Sequence, residues 1–246
     1  MILGHLRTAG LLGLILACSI CVGVPAGDPF GAGREAYGAG DFAAAARHFR
    51  DAVQSRTASG ALLNLGNAEW QLEKKGEAIL AWERALWANP FDRNARNNLR
   101  FARETLQLEA PELSWYEVGS TWLPADWWAW MATVSLWLVV AMTTLPGIFR
   151  WRKSAWHQAL AALGLGVLLL ALPANYGALT RSRVGFVREK DTPLRLTPTA
   201  EGEPVTRLAE GDPGRWVRAR GKFVYIRTSR AAGWIERDRF DLVCAK

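Results

Sequence analysis

The chain has 246 residues, 50% of them hydrophobic, and 30 Lys and Arg against 23 Asp and Glu give a formal charge of +7. The excess is local: residues 27–110 hold 11 basic and 11 acidic side chains, residues 181–246 hold 15 against 9. That surplus suits anionic lipid headgroups or acidic partners better than nucleic acid, or is simply a solvated set of arginines.

Arg7 precedes an uncharged run from Ala9 to Ala26 that ends in Val24-Pro25-Ala26, small residues at the −3 and −1 cleavage positions. Residues 1–26 therefore read as a secretory signal. Cleavage after Ala26, retention as an anchor, and lipidation at Cys18 in the loosely lipobox-like Ile15-Leu16-Ala17-Cys18 all export the segment that begins at Gly27. Cys18 and Cys21 lie in the signal, so Cys244 stands alone in the mature chain and no internal disulfide can form there.

Residues 27–108 show internal self-similarity. The clearest unit runs from Gly60 to Pro90, with Leu65, Gly66, Ala78, Trp82, Ala85 and Pro90 at fixed spacing. This pattern resembles the tetratricopeptide repeat. Small Gly66 and Ala78 allow two antiparallel helices to approach, Trp82 fills the space between repeats, and Pro90 ends the second helix. Gly33, Ala45, Phe49 and Ala52 form an earlier copy 33 residues upstream, with Gly40-Asp41-Phe42 as its turn and Thr57-Ala58-Ser59 where a closing Pro is lacking. Arg93 to Leu106 reads as a capping helix over the last apolar face. The resemblance implies a peptide groove on the inner face of the first helices, holding Phe30, Arg34 and Tyr37, then Leu63, Asn67 and Trp70, then Asn97, Phe101 and Glu104. Packing against the next helix or a membrane surface is the other reading of the aromatics. Only Asn67 matches the peptide-carboxylate clamp of some relatives.

Between residues 109 and 126, Pro111, Gly119 and Pro124 with Trp115, Tyr116 and Trp122 read as an interfacial linker lying on the membrane surface. Two charge-free stretches come next, 127–149 and 158–180, each of 23 residues, separated by a turn at 150–157 carrying Arg150, Arg152 and Lys153. About 20 apolar residues cross the hydrocarbon layer as a helix, so a transmembrane hairpin is predicted. Eight of the 13 Trp fall between residues 115 and 156, and Trp127, Trp128 and Trp130 at one end of the first span face Trp151 and Trp156 at the other, as headgroup anchors do. Pro173 and Asn175 are expected to distort the last turns of the second span. With the N-terminal part exported, the turn is cytoplasmic, as the positive-inside rule prefers. Arg181, Arg183 and Arg188 after the second span pull the other way. No ionisable residue lies within the spans to line an ion path, and Ala162 and Gly166 form a small-xxx-small pair.

From residue 184 the chain changes to short β-type runs, at Gly185–Glu189, Pro193–Leu196, Val205–Leu208, Arg215–Arg220, Val224–Thr228 and Gly233–Ile235, which predict a small barrel. Leu194-Arg195-Leu196-Thr197-Pro198, Leu208-Ala209-Glu210-Gly211-Asp212, Trp216-Val217-Arg218 and Gly233-Trp234-Ile235 resemble the bacterial SH3-like domain, here residues 184–246. Trp216 and Trp234 are either core or a peptide-contact pair.

The fold class expected is thus a multidomain membrane protein: an α-helical tetratricopeptide-like domain, a two-helix transmembrane hairpin and a small all-β SH3-like barrel. In that order the parts resemble the BatE-type proteins of bacterial aerotolerance operons. The resemblance implies a non-enzymatic inner-membrane scaffold, both soluble domains on the periplasmic side, working with von Willebrand A-domain membrane proteins and a MoxR-type ATPase system. No cofactor is implied. His48 is the only His in the exported parts, which leaves no His-based metal cluster or His-paired nucleophile, and no P-loop is present. Asp41, Glu69 and Glu77 read as solvated carboxylates without support for acid/base work. The alternative is an adaptor in which the basic barrel grips cell-wall peptide or glycan and the repeats recruit a wall enzyme.

Overall fold

A computed structural model of the chain describes residues 28–55, 58–150 and 154–244. The signal segment and residues 151–153 of the turn lie outside them. Five helices come first: α1 (Pro29–Gly38), α2 (Phe42–Ser55), α3 (Ser59–Gln71), α4 (Lys75–Ala88) and α5 (Arg93–Leu106). Asp28 caps α1 by accepting from the Phe30 N–H, with Pro29 in the first turn, where a missing N–H costs nothing. Asp92 caps α5 in the same way through the N–H groups of Asn94 and Ala95. Gly40, at φ +80°, makes the tight turn into α2.

The helices pack pairwise and successively. A Cβ on Gly33 would stand 2.7 Å from the Phe49 ring, and one on Gly66 would stand 2.5 Å from the Trp82 indole. The 33-residue offset in sequence is matched by the same glycine-on-aromatic contact in both helix pairs. Ala45, Ala52, Ala78 and Ala85 are buried beside these contacts, Pro90 is buried just beyond α4, and Leu99 seats α5 on the array.

The linker contains a helix, α6 (Trp115–Ser120), closed at its start by a reciprocal capping box between Ser114 and Glu117. The two long helices are α7 (Ala125–Ile148) and α8 (Ala155–Arg181). Both are long and apolar enough to span a membrane, and only 11% and 17% of their most apolar stretches is buried within the protein. They run antiparallel, packed through Trp128, Ala171 and Ala174, with Gly164 against Val139 and the Ser135 carbonyl. Pro173 does not end α8. Asn175 donates from Nδ2 to the carbonyls of Ala171 and Trp128, both at 2.9 Å, so its amide bonds the helix to itself and to its neighbour.

Seven strands complete the chain: β1 (Val184–Val187), β2 (Thr192–Arg195), β3 (Pro204–Leu208), β4 (Pro213–Arg220), β5 (Phe223–Arg227), β6 (Ala232–Glu236) and β7 (Phe240–Leu242). All pairings are antiparallel, in the order β3-β2-β6-β5-β4-β1-β7. The expected barrel is not closed: β3 and β7 are free edges of one open sheet, because the ladder from β1 goes to β7 and never returns to β3. Its core is Val187, Leu194, Leu208, Val224, Ile226, Ile235 and Phe240.

The helical array and the sheet are not separate bodies. Ile79, Leu80, Trp82 and Leu99 share a single buried cluster with Val184, Phe186 and Val243. Gly76 makes the junction close: a Cβ there would lie 2.6 Å from the carbonyl oxygens of Val187 and Arg188. Arg84 donates to Asp241 at 2.8 Å and to the Leu242 carbonyl, Arg188 pairs with Glu77, and the Gly76 N–H reaches Glu210 at 3.3 Å.

Gly66→Ala should destabilise the full-length protein by about 2 kcal/mol through overpacking against Trp82, read as an earlier thermal unfolding in detergent. Residues 184–246 expressed alone would expose Val184, Phe186 and Val243, and should lose the cooperative unfolding that the full chain displays.

Candidate binding surfaces

Of the residues expected along a groove, the structure gathers Asn67, Trp70 and Phe101. Trp70 lies 5.5 Å from Trp82 and 5.8 Å, edge on, from Phe101, which is 57% exposed. Lys75 sits 4.0 Å above the Trp70 ring. Asn67 Oδ1 accepts from the Trp82 indole N–H at 3.1 Å and from Asn98 Nδ2 at 2.8 Å, so its carbonyl end is occupied by the fold. Leu63 is half-buried, and its carbonyl accepts from Trp82 as well. Asn97 and Glu104 are exposed on α5, and Asn97 accepts from Arg100. Lys75 and Asn98 join this face without announcing it in the sequence, since a lysine at a helix start and one Asn of an Asn-Asn pair carry no signal for such a surface.

The α1 residues go elsewhere. Phe30 packs on Phe49 at 5.8 Å, and Tyr37 meets Phe42 edge on at 5.1 Å; both belong to the packing of the first helix pair. Arg34 is exposed. In the sheet, Trp234 is 6% exposed and lies 5.3 Å from Tyr225, while Trp216 is half-buried against the sheet core. Arg218 stacks over both Tyr225 and Trp234, at 5.1 and 5.3 Å, and covers them.

Three cavities open at junctions between elements, none of the three lined by Trp70 or Phe101. One of about 470 Å³ lies between α2, α3, α4 and the end of the sheet, with Leu62, Leu80 and Val243 among its apolar lining and Arg50, Glu69 and Arg84 among its charged groups. Glu69 is only 2% exposed, which overturns its reading as a solvated carboxylate: Arg50 pairs with one oxygen, and Lys74 lies 3.9 Å from the other, which has no hydrogen-bond partner among the described residues. Asp41 caps α2 by accepting from the Ala44 N–H at 2.8 Å, and Glu77 is half-buried against Arg188. A second cavity, about 680 Å³, lies between the linker and β4. A third, about 280 Å³, lies where α4, α5, the linker and the end of α8 meet.

Glu117 makes a buried electrostatic junction. It is 1% exposed and accepts from both terminal nitrogens of Arg215, at 2.7 and 2.9 Å, and from the Ser114 N–H at 2.9 Å. Arg215 also donates to the carbonyls of Thr180 and Glu112, so one guanidinium ties α6, α8 and β4 together. Burial pushes the Glu117 carboxyl up, but the hydrogen bonds from Arg215, Ser114 and Thr180 and the Arg215 charge outweigh it and hold it below the usual range. Glu83 goes the other way: burial pushes its carboxyl up in spite of Arg103 and Arg181 beside it. Among the described residues no group of three or more His, Cys, Asp or Glu is placed to hold a metal ion. No family model, no curated protein and no solved structure matches the chain.

Arg215→Met should cost about 3 kcal/mol, since it strands a buried carboxylate. Because the folded-state value of Glu117 is depressed, its contribution is fully present above the ordinary 4.5 and is lost as pH falls through the lowered value. Denaturant titrations from pH 7 downward should therefore show the gap between wild type and variant closing on acidification.

Proposed function

We propose that the chain is a non-enzymatic membrane-tethered adaptor, whose tetratricopeptide-like helix pairs and SH3-like sheet form one extracytoplasmic body that binds protein partners. The observation that carries this reading is the joining of both parts into one body at the open end of an exposed apolar hairpin. α7 starts and α8 finishes at that end, so the two parts face the same side of any membrane the hairpin crosses. With an exported N-terminal part, that side is the periplasmic one, and the protein is a two-span component of a bacterial inner membrane.

The partner surface is the face of Trp70 and Phe101, with Lys75 and Asn97 at its margins. A half-buried Trp beside an exposed Phe, ringed by polar groups, has the composition of an interface anchor. The BatE-type resemblance supplies the partner class, von Willebrand A-domain membrane proteins acting with a MoxR-type ATPase. The cell-wall alternative is less well supported, because Arg218 already covers the Trp234 and Tyr225 rings that a glycan or wall peptide would stack upon.

Affinity purification from detergent-solubilised membranes should recover an A-domain protein with the wild-type chain. Trp70→Ala should weaken that association about thirty-fold, the loss of a 2 kcal/mol anchor. Sedimentation with purified peptidoglycan, with no A-domain protein recovered, would instead select the wall-binding reading. Periplasmic reporter activity should appear when the reporter is fused after residue 110 or after residue 246, and cytoplasmic activity at either place overturns the topology.

A further inference from the structure

The 280 Å³ cavity at the base of the hairpin is lined by Glu83 and Trp87 of α4, Arg96 and Arg103 of α5, Thr121 before α7, and Arg181 at the end of α8. Three cations and one carboxylate give its wall a net charge of +2. We propose that this cavity binds a phosphate-type anion, either free or as the headgroup of an anionic lipid.

Two of the three cations are held in place by something other than a carboxylate. Arg181 stacks on the Trp87 ring at 4.5 Å, and its buried Nε has no hydrogen-bond partner among the described residues. Arg103 pairs with Glu83, and Arg96 donates to the Pro90 carbonyl. Guanidinium groups fixed by stacking and backbone contacts keep donors for a tetrahedral oxyanion, which they bind in bidentate fashion. The volume is many times the ~30 Å³ share of a water and at the low end for ligand pockets, so it suits a small anionic group better than a large metabolite. Glu83 is the one negative group in the wall, and burial already opposes its charge. An incoming anion competes with that carboxylate for Arg103 and Arg181.

The lipid source rests on the membrane-tethered reading of the hairpin: Arg181 ends one span and Thr121 precedes the other, which sets the cavity at headgroup level. The anion chemistry does not depend on it. Full-length protein in detergent would be titrated calorimetrically with inorganic phosphate, and its retention of phosphatidylglycerol against phosphatidylcholine would be read by native mass spectrometry. Arg181→Gln and Arg96→Gln should each weaken the bound anion at least ten-fold. Glu83→Gln should tighten it several-fold, a gain that a purely structural ion pair would not produce. Arg230→Gln, at the exposed pair with Glu109, should change nothing. Retention of phosphatidylglycerol without phosphate binding assigns the site to a headgroup, and phosphate binding assigns it to the free anion. No binding of either at millimolar concentration, or binding indifferent to all three cavity substitutions, overturns the proposal. A protein soluble without detergent that still binds phosphate would overturn the membrane reading alone.

Discussion

Helix α4 is buried from two sides at once. Its Trp82 packs back onto Gly66 within the helical array, while Ile79 and Leu80 lie in one cluster with Val184, Phe186 and Val243 of the sheet. Each of these large side chains contributes about 1.5–3 kcal/mol when removed from water. Taken together they reach the order of 10 kcal/mol, which is the whole net stability of an ordinary domain. Neither the array nor the sheet can therefore be regarded as complete without the other. The close approach at Gly76 is part of the same constraint, since a side chain there would push α4 away from the β1 backbone.

That shared core makes the hairpin a closed insertion. The chain leaves the body through α6, runs out along α7, returns along α8 and re-enters the body at β1. Glu117 and Arg215 close the base, joining the exit segment to a strand 98 positions later in the chain. Exposed Trp115, Trp122, Trp127 and Trp130 surround this base, while the buried side of α6 carries Glu117 and Ser120. This six-residue helix turns Glu117 and Ser120 inward and Trp115 outward, the reverse of a soluble surface helix, while Tyr116 packs on Tyr176 of α8. It suits a headgroup boundary, where indole rings meet both apolar and polar surroundings.

Local chemistry is legible in the sequence and remote pairing is not. Residues 93–106 read as a helix and form α5, the two charge-free runs appear as α7 and α8, and the six β-type runs each coincide with a strand. Those features follow from caps, periodicity and turn residues close together in the chain. β7 carries no such signal, because three residues after a 3-10 turn are too few to display alternation. α6 is marked by Ser114 and Glu117 at capping-box spacing, but its Pro- and Trp-rich surroundings read as irregular. The barrel expectation assumes that short strands with SH3-like turns close on themselves; here the sheet runs on from β1 to β7, whose Leu242 carbonyl accepts from Arg84 of α4. The burial of Glu69 defeats a local reading because it depends on partners such as Arg50, 19 positions away, which no helical period encodes. For the aromatic face, the repeat register points to Asn67, Trp70 and Phe101, whereas Phe30 and Tyr37 are taken up by packing on Phe49 and Phe42 within the first helix pair.

The arginines that come after α8 illustrate how folding can settle an ambiguity that charge counting leaves open. Arg181, Arg183 and Arg188 oppose the outward assignment of the second span's end if each is counted as a free cation. Arg188, however, pairs with Glu77, and Arg181 stacks on Trp87 beside Glu83. Glu77, Glu83 and Trp87 all precede the hairpin in the chain. Whichever side the helical array occupies, these contacts and the shared core can form only if the segment after α8 returns to that same side. An inverted second span would leave Glu77 without its cation and Phe186 and Val184 without α4, at a cost in buried apolar area far above the roughly 1 kcal/mol that one basic residue gains near an anionic surface. The location of the array thus decides the location of the sheet.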